Sequence, residues 1–207
     1  MELSEESLPL PLFFQYDDLD YFIRNSENGI IGFTGIGIWH HCITSASESK
    51  SKIMYYGKRN RMIVDSVHDV QDSKTLWRYL LDTMCTVRDK DESSLQLLNR
   101  AMNDYLKGPE WIIRICDADN NRIIKEMDDS ERMCFSPICR RDLPLVMWNM
   151  CSWRWVKHMF SIIRIVSRYL LRGRSVRREY HTKYGEMRSM TYWNTTLRDE
   201  HGRDQEI

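Results

Sequence analysis

Apolar and polar residues fall along this chain in short blocks, and the period within each block sets the element it predicts. Pro9 and Pro11, set among leucines, impose an extended start. Asp17-Asp18 reads as a turn, 19–24 as a strand and 25–29 as a polar loop. Residues 39–44, Trp-His-His-Cys-Ile-Thr, read as a buried strand. The apolar runs 53–56 and 62–67 flank a polar stretch, 57–61, which is the pattern of a hairpin. Helical spacing follows. Asp72 or Ser73 caps a helix over 74–81, with Leu76, Tyr79 and Leu80 on one face. Residues 84–88 read as a short strand. The clearest amphipathic helix is 92–106, where Leu95, Leu98, Met102, Tyr105 and Leu106 recur at helical intervals before Gly108-Pro109. Residues 111–116 read as a strand. Asp142-Leu143-Pro144 starts a long helix that runs to Arg172, with Val156, Phe160, Ile163 and Val166 on one face.

Together these elements predict an α+β fold, a small antiparallel sheet packed against helices, with a long basic C-terminal helix. Residues 1–172 are expected to form a single domain and 173–207 a polar basic tail, partly disordered. The 207 residues are 42% hydrophobic and include seven Trp, enough for a real core, and nine Gly with five Pro exclude collagen and low-complexity disorder. No apolar run reaches the roughly 18 residues of a membrane span, and the acidic start is unlike a secretory signal. An intracellular location, cytoplasmic or membrane-peripheral, is the expectation.

Charge changes that picture in one respect. The formal net charge is zero, yet residues 1–139 hold 16 basic and 23 acidic residues, whereas 140–188 hold 12 and 3. The basic segment, with Arg164, Arg168, Arg172, Arg174, Arg177 and Arg178, either docks on the acidic body or meets an anionic membrane surface or acidic protein partner. Trp148, Trp153 and Trp155 are residues that favour a membrane interface. Nucleic acid ranks last, because no recognised binding motif accompanies the arginines.

The six cysteines are irregularly spaced and form no CxxC, so neither a disulfide framework nor a zinc site is expected. Gly32, Gly35 and Gly37 do not follow the order of a dinucleotide cradle. Histidine, acid and cysteine are the inventory of thiol catalysis, in which an imidazole turns a thiol into a thiolate and a third polar group orients the ring. Neighbours on a strand face opposite ways, so one of His40 and His41 faces such a site. On adjacent antiparallel strands His41 and Asp65 would come within reach of each other.

The order of these segments resembles the circularly permuted papain-like cysteine hydrolases, the group of YiiX-like and lecithin–retinol acyltransferase-like proteins. The residues that carry the resemblance are 17–22, Phe33-Thr34-Gly35 with Trp39-His40-His41, Ile63-Val64-Asp65-Ser66, 107–111 and Met150-Cys151-Ser152. It spans about residues 17–165. It implies Cys151 as nucleophile, His41 as base and Asp65 as the orienting residue, with Cys134 and Cys139 as alternative nucleophiles. The implied activity is thiol hydrolysis or acyl transfer on an amide or ester, on a peptide or lipid substrate, without a cofactor. The rival expectation is a non-enzymatic interaction protein, viral or accessory, that grips an acidic partner through the basic segment.

Overall fold

A computed structural model describes residues 8–12, 16–25, 53–69, 72–114, 140–151 and 153–189. Among these residues every regular element is helical and there is no strand, so the expected α+β sheet fold is corrected to an all-helical arrangement. The helices are α1 (Asp17–Asn25), α2 (Lys58–Val67), α3 (Asp72–Arg88), α4 (Glu92–Tyr105), α5 (Pro109–Arg114), α6 (Leu143–Met150), α7 (Trp153–Thr182) and α8 (Tyr184–Met187).

The expected hairpin shows why the sheet fails. Residues 53–56 form a π-helical turn, Ile53–Gly57, that runs straight into α2. Gly57 has helical backbone angles and makes no turn. Arg59 and Asn60, read as turn residues, are wholly buried between the two apolar runs. A helix buried nearly all round shows continuous apolar blocks, which look like buried strands when read from periodicity alone. The expected strand 84–88 is likewise the last turn of α3. At 111–116, the described part belongs to α5, which Pro109 opens and the left-handed Gly108 (φ +90) sets off from α4. A Cβ at Gly108 would stand 2.9 Å from the carboxylate of Glu179 on α7, the far end of a flexible side chain that can shift, so it is the left-handed backbone that calls for glycine there. The expected strand 39–44 lies outside the described residues.

The element read best, α4, is also the centre of the fold. Asp91 caps it, accepting a hydrogen bond from the Ser94 backbone N–H at 2.9 Å. Leu95, Leu97, Leu98, Ala101, Met102 and Tyr105 are buried against α2, α3, the π turn and α7. The helix expected over 142–172 breaks at Cys151, which caps α6, and resumes as α7. It then continues ten residues beyond Arg172, to Thr182. Thirty residues make α7 about 45 Å long, so one helix reaches α2 through α6 and α8. Tyr180 stacks on Tyr105 (5.4 Å, 8°) and donates a hydrogen bond to its carbonyl at 3.2 Å, which locks α7 to α4. None of the described helices is long and apolar enough to cross a membrane.

Two buried polar clusters complete the core. Asp104 accepts from Tyr55 (2.7 Å) and Arg100 (2.8 Å) and pairs with Lys107 (2.7 Å). Beside it the Arg59 guanidinium lies over the Tyr55, Tyr56 and Trp111 rings and donates to the Asn60 side chain and the Leu12 carbonyl. The second cluster is built on Asp20, which is fully buried and bonded to Arg24 (3.1 Å), His68 (2.9 Å) and Tyr184. That single carboxylate joins α1 to the end of α2 and to α8.

Candidate functional site

Two hollows lined by described residues could receive a ligand. The first is a cleft of about 180 Å³ between α2 and α3. Lys58, Arg61, Met62 and Asp65 stand at positions i, i+3, i+4 and i+7 of α2, and Thr75, Arg78, Tyr79 and Asp82 repeat that spacing on α3. The two helices run antiparallel, so Lys58 meets Asp82 (2.8 Å) and Asp65 meets Arg78. Burial pushes the Asp65 carboxyl above its ordinary value, against the pull of Arg78, Arg61 and Arg177. Both walls therefore present acids and bases already joined across the cleft.

The second hollow, about 510 Å³ and open, lies at the start of α1 and is lined by Tyr16, Asp17, Asp18 and Leu19. Tyr16 has φ +72, a left-handed conformation unusual for an aromatic residue, and its carbonyl accepts the Asp20 N–H at 3.0 Å. That bend starts the helix and turns two successive carboxylates towards the opening. The Asp18 carboxylate accepts the adjacent Leu19 N–H at 2.8 Å. Behind this rim Asp20 is held well ionised. Burial raises its carboxyl, but the hydrogen bonds from His68 and Tyr184 and the charges of Arg24 and His68 outweigh that and leave it below the ordinary value.

The residues singled out in the sequence are placed as follows. Asp65 is on a helix and is engaged by Arg78 rather than by an imidazole. Cys151 is exposed and caps the C-terminal end of α6, its N–H bonded to the Met147 carbonyl at 3.1 Å. It does not line the Asp65 cleft. His40, His41, Cys134 and Cys139 lie outside the described residues. Asp17 and Asp18, read as a turn, were missed. The available signal was three acids within four residues followed by an arginine, which is how a helix N-terminus and its last turn are marked.

Comparison with known proteins decides against the papain-like resemblance. No family model matches the chain. It is similar to galactofuranosyltransferase GlfT2 of Mycolicibacterium smegmatis, 31% identical over 121 residues, which is 56% of this chain and 19% of that protein. It is similar also to galactofuranosyltransferase GlfT2 of Mycobacterium tuberculosis, 30% identical over 124 residues, 56% of this chain and 20% of that protein. The chain thus spans about one fifth of the length of the curated relatives it matches. These relatives are glycosyltransferases, so the thiol hydrolase or acyltransferase reading is withdrawn, as is the papain-like assignment. The rival reading, a non-enzymatic interaction protein, gains no support from them.

Proposed function

We propose that this chain takes part in galactofuranosyl transfer. One observation carries the reading: two galactofuranosyltransferases share about three residues in ten with it over more than half of its length. In such a transfer an acceptor hydroxyl attacks the anomeric carbon of an activated galactofuranosyl donor. The new C–O bond forms, the bond to the leaving group breaks, and the leaving group keeps the electron pair. The hydroxyl proton must pass to a base positioned beside it.

The hollow at the start of α1 suits that step better than the α2–α3 cleft. It has room for a sugar, and Asp17 and Asp18 face into it. In the cleft, Asp65 and Asp82 are joined to Arg78 and Lys58. The test is to incubate the chain with a labelled activated galactofuranosyl donor and a galactoside acceptor, and to follow both transfer and donor binding. Product is expected from the native chain. Asp17→Asn or Asp18→Asn should lower the rate by about 10²- to 10⁴-fold, the contribution of a general base, while circular dichroism is unchanged. Asp65→Asn should leave most of the rate. A chain that neither transfers nor binds the donor refutes the reading. A loss confined to Asp65→Asn moves the site to the cleft.

A further inference from the structure

The two sides of α7 differ in what they present. Its inner side carries Trp155, Ile162, Ile165, Tyr169, Val176 and Tyr180, all buried. Its outer side leaves Phe160, Ile163, Leu170 and Leu171 exposed, Leu171 at 87%. At 100° per residue these four and the exposed Arg164, Arg168, Arg174 and Arg178 share an arc of about 160° opposite the buried side. Glu179 is the single acid among the thirty residues of the helix, against six arginines beyond Lys157 and one before it. On α6, which leads into α7, Trp148 is 79% exposed beside Met147 and Leu145.

We propose that the outer face of α7 lies on an anionic phospholipid surface. Its apolar side chains would enter the boundary between headgroups and acyl chains, and its arginines would reach the phosphates. Three features select this occupant. Apolar and cationic side chains are intermixed on one arc, as a helix lying in a headgroup layer requires. The arginine stems can lie along the apolar boundary while their guanidinium groups stay at the phosphate level. A second copy would set one arginine-rich face against another, and the like charges repel. A nucleic acid would bury Leu171 and Phe160 without offering them an apolar partner. The inference is independent of the catalytic reading above.

The test is sedimentation of the full chain with vesicles of phosphatidylcholine alone, and with vesicles that also hold about a third phosphatidylglycerol. Binding is expected to be at least about tenfold tighter to the anionic vesicles and to weaken between about 0.1 M and 0.5 M salt. Leu171→Asp should abolish it with the helical circular dichroism unchanged, since the replaced side chain touches solvent. Arg164→Gln with Arg178→Gln should weaken it by about tenfold and flatten the salt dependence. Four results overturn the proposal. They are no binding to anionic vesicles, equal binding to both kinds, salt-sensitive binding that Leu171→Asp leaves unchanged, and self-association without vesicles that Leu171→Asp reverses. The last would make this face an interface between copies of the chain.

Discussion

α1 and α2 are built on opposite plans. α2 turns Met62, Ile63, Val64 and Val67 inward and, apart from the buried Arg59, leaves its charged residues Lys58, Arg61 and Asp65 lining a cleft. α1 turns an aspartate inward and leaves Leu19, Tyr21, Phe22 and Ile23 exposed. One helix is held by apolar burial, which is non-directional and spread over many side chains. The other is held by a few directional bonds that converge on Asp20. The difference teaches where each can be broken. Burial fails gradually, whereas a polar anchor fails when one atom is removed, because the partners stay behind unpaired in a site poor in water.

Asp20→Ala is the sharpest way to break the comparison. It leaves Arg24, His68 and Tyr184 without the carboxylate that they share. The expected cost is about 3–5 kcal/mol, the figure for removing one partner of a buried pair. Hydrogen exchange should show the loss first in α1 and α8, with α4 protected longest. If α1 keeps its protection, the apolar side chains on its outer face hold it instead and the contrast is false.

Ile63→Ala tests the other side. Ile63 is fully buried in the core that α2, α4 and α7 share. A cavity there should cost about 3 kcal/mol. The denaturant midpoint should fall for the whole helical body at once, with the slope unchanged. A selective loss in α2 alone would show that this core is less continuous than its burial indicates.

The same contrast explains what the sequence disclosed. In α4 the apolar residues face inward at helical spacing, an aspartate caps the start and a glycine follows the end, so local and tertiary signals agree. In α1 they disagree. The apolar run 19–23 promises a buried strand, but the buried residues are the acid within it and, in part, Arg24 four positions on. In the π turn and α2, burial on nearly every side erased the period that would have marked a helix. Of the candidate site, Asp65 was legible as a polar residue among apolar neighbours. Its partner Arg78 was not, because a pair thirteen residues apart on two helices leaves no local pattern. Asp17 and Asp18 were legible as charged residues but not as the wall of a hollow, which exists only once Tyr16 bends the backbone.

The Asp20 and Asp65 carboxylates supply the finest version of the comparison, because their shifts have opposite sign. Asp20 titrates below the ordinary aspartate value when folded. Its stabilising contribution is complete above that ordinary value, near 4, and is lost as pH falls through the lower folded value. Asp65 titrates above the ordinary value when folded, because burial outweighs its arginines. Between the two values the native state binds the proton more readily than the unfolded chain does, so its contribution falls as pH rises through that window. Asp65→Asn removes the titration and should flatten this second slope while leaving the first intact. The change in stability should be small, about 0.5 kcal/mol, since Arg78 is about a third exposed and solvent screens the pair. Urea midpoints measured from pH 3 to pH 7 on the native chain, Asp65→Asn and Asp20→Asn separate the two effects. If Asp65→Asn instead lessens the loss of stability at low pH, Arg78 dominates over burial at Asp65, and the cleft would then be held by its ion pairs in the way that α1 is held by Asp20.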